Sequence, residues 1–323
     1  MPAPAVNGDG KKNRAPMADP QGVAAETLAR AQPDVIVLGG GIDGGATSAL
    51  YEIANLVAAI VSAQEESARP AILFAGNRDA RPQIAARIGQ LTQLRVADNV
   101  HPALDRENGA ALQRELEALY EERQLARLPG LGGLGNWTTA KIVPTARAFE
   151  NVVRFLSRRY GLSVLGADVG GAATTIVHAQ GDAYTRVLRA DVGIGHSLDA
   201  MLARAGAETL LRWLPMELSI DAARAQWLNH ALHPGALPAT RDELLLLQAA
   251  ARHALATTAR EGGMSGRAVD LVLLTGGIFT HNSNFASLAL LALDALEVSG
   301  IFTLAVDGFG LAPAYGALAI LDA

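Results

Sequence analysis

Asp34-Val-Ile-Val-Leu-Gly-Gly-Gly-Ile42 occurs again, in closely similar form, as Asp270-Leu-Val-Leu-Leu-Thr-Gly-Gly-Ile278. Each copy has an acidic residue, a short apolar run and a glycine-rich turn. An apolar run bounded by glycines is typical of a strand buried on both faces of a parallel sheet. Glycines let the backbone approach a ligand, and a following helix points free N–H groups at an anion. The repeat predicts two related α/β halves facing each other across a cleft, and chance similarity is the alternative.

The composition bounds the class of protein. The chain has 323 residues, which is enough for about two domains, and half of them are hydrophobic. The net charge of −5 argues against a nucleic-acid-binding protein, which normally carries a basic excess. The absence of cysteine excludes disulfides, thiolate metal sites and cysteine nucleophiles. Neither a long apolar run nor a secretory signal is present, so the sequence predicts a cytoplasmic protein without a membrane-spanning helix.

Local composition predicts the domain organisation. Residues 1–20 are rich in polar residues, glycine and proline and predict a disordered leader. The glycine-rich stretch Pro129–Asn136 predicts a loop near the join between a first half, residues 21–144, and a second half, residues 145–323. The second half is predicted to contain three strands, a helix, a helical insertion at about 208–260, and two further strand–helix pairs. The first half contains only the later part of this order and is therefore predicted to be incomplete.

The stretch from Asp168 to Ile176 is the best candidate for chemistry. A predicted strand leads Asp168 into a Gly170-Gly171 hairpin, and the next strand carries Thr174 and Thr175. Exposed backbone N–H groups in such a turn can hold phosphate oxygens. Asp168 could bind Mg²⁺ through water molecules, and the threonine hydroxyls could add donors. The alternative is an ordinary hairpin turn, because aspartate and glycine favour turns for local reasons.

The two glycine-rich turns are candidate ligand contacts as well. Gly276 and Gly277 could lie against an adenine ring or a ribose, or they could only form a strand-to-helix turn. Gly40 and Gly41 belong to a loop with more glycine than a turn requires. Asp43 in that loop could bind a cation or a hydroxyl, although capping of the following helix is favoured. The glycine spacings fit neither a P-loop nor a Rossmann NAD site.

Other polar residues are predicted to be structural. Asp307 follows the last predicted strand and is expected to form a turn. His196 lies near a helix start, where a lone histidine is more often a surface or capping residue. His230 and His233 are three residues apart without a third ligand in view, so no metal site is predicted there.

Four stretches resemble the glutamate mutase accessory (L component) family, within the actin, sugar kinase and Hsp70 ATPase (ASKHA) superfamily. They are Asp34–Gly45, Phe74–Asn77, Asp168–Thr175 and Asp307–Ala317. The resemblance implies an ASKHA (ribonuclease H-like) α/β fold of two halves, with mixed sheets flanked by helices and a truncated first half. The turn containing Asp168, Gly170, Gly171 and Thr174 would then contact phosphate and cation, with Gly276 and Gly277 at the nucleoside.

The resemblance also implies a function. The chain would be an accessory, chaperone-like protein of an adenosylcobalamin-dependent, glutamate-type mutase, with a mutase subunit as its partner. ATP and Mg²⁺ would bind in the cleft between the halves. No tightly bound metal, nucleic acid or membrane partner is predicted.

Two departures from the family pattern bear on activity. The family begins with an additional Asp-x-Gly-Ser-Thr phosphate hairpin, which this chain does not contain. The second hairpin has Ala173 in place of the first threonine of the family pattern and Thr175 in place of its final aspartate. ATPase activity is therefore expected of intact relatives and is not predicted for this chain alone. Two alternatives stay open, a non-catalytic scaffold that binds a mutase subunit and a degenerate small-molecule kinase with Asp43 as its base.

Overall fold

A computed structural model describes residues 20–123, 137 and 142–320. The chain divides into two compact units, Met1–Thr139 and Ala140–Ala323. Residues 1–19 of the predicted leader and the predicted loop Pro129–Asn136 lie outside the described residues, and the predicted division at 144/145 stays a prediction. In the part of the chain that the structure describes, helices are too short or too polar to cross a membrane.

The first unit contains a parallel three-stranded sheet with the order β1-β2-β3. Its central strand is buried over its whole length, which explains its uninterrupted apolar sequence. Residues of the central strand alternate between two core clusters, one with α2 and α3 and the other with α4. The elements are α1 (Pro20–Ala31), β1 (Val35–Leu38), α2 (Ser48–Ser62), β2 (Ala71–Phe74), α3 (Arg81–Ile88), β3 (Leu94–Val96) and α4 (Ala110–Arg123).

The second unit contains a mixed five-stranded sheet with the order β6-β5-β4-β7-β8. Strands β4, β5 and β6 form an antiparallel meander, whereas β7 and β8 run parallel to β4. The elements are α5 (Thr145–Tyr160), β4 (Ser163–Val169), β5 (Thr174–Gln180), β6 (Ala183–Arg189), α6 (Leu198–Ala205), α7 (Ala207–Leu211), α8 (Ile220–Leu232), α9 (Arg241–Glu261), β7 (Leu271–Thr275), α10 (Gly277–Thr280), α11 (Phe285–Leu296), β8 (Thr303–Val306) and α12 (Ala312–Leu318).

This order confirms the predicted α/β class with sheets flanked by helices, including the mixed sheet. The turn between β5 and β6 contains Gly181 at φ +59°. Both copies of the repeated phrase form parallel strands that end in a glycine turn, but only β7 is buried as predicted. Strand β1 lies at the edge of its sheet and Val37 is exposed, so the predicted burial on both faces is wrong for the first copy.

Helices cover both faces of the second sheet. Leu165, Ala167 and Val169 of β4 pack into a large cluster with residues of α9 and α11. Val164 packs on the opposite face with residues of α5 and α12. Because neighbouring residues of a strand point to opposite faces, Asp168 is directed to the α5 and α12 side.

Candidate functional site

Polar residues form a row at one end of the second sheet. The register pairs Asp168 of β4 with Thr175 of β5 on one side and with Thr275 of β7 on the other. Asp307 directly follows β8, and its N–H donates to the carbonyl of Leu274 at 2.8 Å. Paired residues of neighbouring strands share a face, so these side chains lie side by side on the α5 and α12 side. The sequence predicted Asp168 and Thr175 as site residues but did not assign Thr275 or Asp307 to the site.

The Asp307 carboxylate joins β7 to the start of α12. Its Oδ2 accepts hydrogen bonds from Thr275 Oγ1 at 2.9 Å and from the Ala312 N–H at 2.8 Å. Its Oδ1 accepts from the Leu311 N–H at 3.0 Å. Asp307 thus has the structural role that the sequence predicted, and it also brings a second negative charge to the row.

Asp168 is a partly buried carboxylate beside another acidic group. Burial, and then the charge of Asp307, raises the pKa of Asp168 to about 6. The described part of the chain provides no hydrogen-bond donor to this carboxylate, in contrast to Asp307. A desolvated acid with a specific charged neighbour and a raised pKa is a candidate for a functional site, and a cation would relieve both unfavourable effects.

The hairpin between β4 and β5 offers backbone donors. The Gly170 N–H donates to the Ala173 carbonyl at 2.9 Å and closes the turn. The N–H groups of Gly171 and Ala172 find no acceptor among the described residues, so they are available to an anion. Thr174 is fully buried and its Oγ1 has no partner. Its register with Val169 directs it to the face opposite Asp168, so the two predicted threonines are not on one side.

The glycine turn after β7 lies against the end of β4. Gly276 has φ +102°, and an added Cβ would lie 2.8 Å from the carbonyl carbon of Val169 and 2.9 Å from its nitrogen. Only glycine fits there. Gly277 is exposed, and an added Cβ would meet only His281 Cδ2 at 4.0 Å. The two predicted glycines therefore differ, because the first is required by packing and the second is open to a ligand.

A cavity of about 230 Å³ brings the hairpin and this turn together. Gly171 and Gly277 line it, as predicted contacts, but most of its wall was not predicted. Those further lining residues include His230, Leu237, Leu244 and His281. The sequence gives no local signal for them, since the fold alone brings the end of α8, the start of α9 and the end of α10 next to the hairpin.

The remaining predicted residues lie in the first unit, in the loop after β1. Asp43 Oδ1 accepts hydrogen bonds from the Arg78 N–H at 3.0 Å and from Asn99 Nδ2 at 2.9 Å, and these two bonds lower the pKa of Asp43. The favoured interpretation of Asp43 as a helix cap is wrong, because Thr47 is the residue before α2 and it makes no side-chain cap. Gly40 and Gly41 belong to the same loop, with φ +136° and +68°.

This loop is joined to the loops after β2 and β3. The Gly40 carbonyl accepts from the Asn77 N–H at 3.0 Å, and Asn77 Nδ2 donates to the Gly45 carbonyl at 3.0 Å. Asn99 Nδ2 also donates to the Gly41 carbonyl at 3.0 Å. The geometry of the loop therefore depends on two buried asparagine side chains.

We expect Asn99→Ala to destabilise the first unit by about 2 kcal/mol, because it removes three hydrogen bonds made by a buried side chain. The measurement is urea denaturation followed by a signal from the first unit. Asn55→Ala, at an exposed position of α2, is the matched control and should change stability by less than about 0.5 kcal/mol. Equal stability of the two variants would contradict the role assigned to Asn99.

A metal ion at Asp168 would need ligands beyond protein side chains. Among the described residues, no group of three or more His, Cys, Asp or Glu side chains could hold a metal ion. A hydrated Mg²⁺ fits this limit, because Mg²⁺ keeps several waters and uses one or two carboxylates with substrate phosphates.

Comparison with known proteins identifies the family. The family model described as MutL protein matches residues 17–321. "Protein MutL" of Clostridium tetanomorphum is 22% identical over 299 residues, which cover 80% of this chain and 63% of that protein. The chain thus spans less than two thirds of the length of this curated relative.

Solved structures give more distant matches. Component A of (R)-2-hydroxyglutaryl-CoA dehydratase from Acidaminococcus fermentans is 11% identical, with 85% of this chain and 82% of that chain covered and a TM-score of 0.30. The activator of 2-hydroxyisocaproyl-CoA dehydratase from Clostridium difficile, solved with bound ADPNP, is 17% identical, with 66% and 82% covered and a TM-score of 0.32. Such TM-scores are too low to assign function.

The family model extends over almost all of the chain, and the motifs quoted above lie within the matched residues. The chain therefore belongs to the MutL protein family, the glutamate mutase accessory family that its sequence resembles.

Proposed function

We propose that this protein is a cytoplasmic accessory protein of an adenosylcobalamin-dependent, glutamate-type mutase and that its second unit binds Mg·ATP. Membership of the family supports the accessory role. The observation that carries the nucleotide proposal is the presence of three features at one end of the sheet, with Asp168 on the α5 and α12 face and the cavity on the opposite face beside the hairpin. They are an unsatisfied acid at Asp168, free N–H groups in the hairpin, and a cavity beside Gly277.

The phosphates belong at the hairpin in this proposal. The free N–H groups of Gly171 and Ala172 would donate to phosphate oxygens, since successive backbone N–H groups in a turn form an anion-binding concavity. Mg²⁺ would lie between the phosphates and Asp168, through water molecules. Its charge would favour the ionised form of Asp168, which burial and Asp307 otherwise disfavour.

The nucleoside belongs in the cavity. Its volume of about 230 Å³ is below the roughly 300–1,000 Å³ of pockets for drug-sized ligands, so it suits a base with part of the ribose. Gly277 would let the ligand approach the backbone, and apolar side chains such as Leu237 and Leu244 would cover the ring. For the first unit by itself, we propose that the loop with Gly40, Gly41 and Asp43 contacts a ligand, because ligands of parallel sheets bind at the carboxyl ends of strands.

A scaffold without nucleotide chemistry is the second candidate. The register places Thr175 directly opposite Asp168, at the position where the family pattern has an aspartate. This chain therefore has one carboxylate fewer in the polar row than that pattern would provide. We propose that this chain binds both a nucleotide and a mutase subunit. We do not propose that it hydrolyses the nucleotide alone.

Calorimetric titration with Mg·ATP and Mg·ADP tests the nucleotide proposal. We expect micromolar binding to the wild type and a loss of at least 100-fold in Asp168→Ala, whose side chain cannot hold the hydrated cation. No heat at millimolar nucleotide would exclude the nucleotide site. Titration with a purified adenosylcobalamin-dependent mutase subunit from the same organism would then decide whether the scaffold proposal holds.

A further inference from the structure

One loop binds the backbone carbonyl groups of the β4–β5 hairpin through hydrogen bonds. We call residues 190–197, between β6 and α6, the supporting loop. The Ile194 N–H donates to the Gly170 carbonyl at 3.1 Å, and the Gly195 N–H donates to the Gly171 carbonyl at 2.9 Å. Ser197 Oγ donates to the Ala172 carbonyl at 2.7 Å. Three successive carbonyls of the hairpin are thus bound by the supporting loop, while the N–H groups of Gly171 and Ala172 stay free.

The supporting loop has no space to shift toward the hairpin. An added Cβ at Gly193 would lie 2.6 Å from the Gly171 oxygen and 2.7 Å from the Ala172 carbon. An added Cβ at Gly195 would lie 2.9 Å from the Gly171 Cα. On its other side, the loop packs Val192 and Ile194 into the large core cluster. The conformation of the hairpin therefore follows that of the loop.

An ion-pair network fixes the start of the loop. Arg189 Nε and Nη2 donate to Oδ1 and Oδ2 of Asp191, both at 2.8 Å. Arg204 of α6 pairs with the same carboxylate, and Arg189 also contacts Glu261 at the end of α9. A bidentate arginine–carboxylate pair restricts orientation more than a single contact does. The hydrogen bond from Arg189 is the main cause that lowers the pKa of Asp191 to about 2, so the pair persists at neutral pH.

We propose that Asp191 is a positioning residue for phosphate binding. Its pair with Arg189 holds the supporting loop, the loop holds the hairpin carbonyls, and the hairpin thereby presents the N–H groups of Gly171 and Ala172 to phosphate oxygens. This inference rests on the proposed nucleotide site. Asp191 makes no contact with the hairpin itself, so it acts only through the loop.

Asp191→Asn tests this inference, because asparagine keeps the size of the side chain and removes the charged pair. We expect the affinity for Mg·ATP to fall by 10- to 30-fold, while the affinity for adenosine, which needs only the cavity, stays unchanged. Hydrogen exchange at the amides of Gly170, Ile194 and Gly195, which are hydrogen-bonded to carbonyls of the hairpin, should become faster. Asp199→Asn is the matched control, since exposed Asp199 accepts only from the adjacent Ala200 N–H, and it should change none of these quantities.

The outcomes separate the inference from the proposed function. An equal loss of adenosine and Mg·ATP affinity in Asp191→Asn would show general damage and overturn the positioning role. Unchanged Mg·ATP affinity and unchanged exchange would overturn it as well, and the nucleotide site would stand. If the wild type binds no Mg·ATP, the proposed function fails, and the hydrogen-exchange rates alone test whether Asp191 controls the hairpin. Faster exchange in Asp191→Asn but not in Asp199→Asn then supports control of the hairpin by Asp191, and equal rates overturn it.

Discussion

Asp168→Asn is expected to stabilise the protein at pH 7.5 and at the same time to abolish Mg²⁺-dependent nucleotide binding. The charge of Asp168 is unfavourable in the folded protein, because burial and Asp307 raise its pKa from 3.8 to about 6. A shift of this size corresponds to about 3 kcal/mol as an upper value, and partial exposure lowers the expected gain to about 1–2 kcal/mol. The melting temperature should then rise by roughly 2–6 °C.

The sign of the pH dependence follows from the raised pKa. The unfavourable contribution of Asp168 is absent below about pH 3, where the carboxyl group is protonated in both the folded and the unfolded states. It grows as the pH rises through the unfolded-state pKa of 3.8 and is nearly complete above the folded-state pKa of about 6. The gain in stability of Asp168→Asn over the wild type should therefore be small at pH 4 and largest above pH 6. Binding of Mg²⁺ to the wild type should weaken as the pH falls through about 6, because protonation removes the carboxylate charge.

Denaturation of both proteins between pH 4 and pH 8 measures this effect. Asp182→Asn is the control, since Asp182 is almost fully exposed in the turn after β5. A lower free energy of unfolding for Asp168→Asn than for the wild type at pH 7.5 would show that the wild-type carboxylate has a favourable partner. Asp168 would then be a structural residue with a permanent contact, and the proposal that it binds a cation would be wrong.

Gly276→Ala is expected to cost about 3 kcal/mol or more in the free energy of unfolding, because it combines backbone strain with overpacking. The residue has φ +102°, which side chains rarely adopt, and the new methyl group would overlap the backbone of Val169. Since β4 and β7 are neighbours in the middle of the sheet, neither strand can move without breaking the ladder between them. Thermal unfolding and soluble yield measure the effect.

Gly277→Ala is the matched control, one residue further along the chain. Space for a Cβ is available there, so we expect stability within about 0.5 kcal/mol of the wild type. Its affinity for Mg·ATP should nevertheless fall, because the methyl group would extend into the cavity that Gly277 lines. Equal destabilisation by both variants would contradict the packing described for Gly276.

Features encoded by short stretches of sequence could be predicted. Helix α5 has local boundary signals, since Pro144 precedes it and Gly161 ends it in the left-handed conformation. The β4–β5 hairpin was predicted because Asp168 and Gly170-Gly171 mark a turn between two apolar runs. In each case the determining residues are adjacent in the chain, so local backbone preferences and hydrophobic pattern are sufficient.

Features that depend on distant residues could not be predicted. The charge of Asp307 acts on Asp168 only because β8 and β4 lie on either side of β7. Asp43 was assigned to a helix cap because its true partner, Asn99, follows β3, two strands further along the chain. Leu244 lies on the cavity wall only because the chain after α8 folds back.

Helix α12 connects the polar row to α5. At Gly316 the backbone of α12 lies directly against the Ala148 carbonyl, and Asn151 Nδ2 donates to the Gly316 carbonyl at 3.1 Å. The start of α12 is held by Asp307, next to Asp168 in the polar row. The packing of α5 against the sheet therefore depends on the same carboxylate that raises the pKa of Asp168.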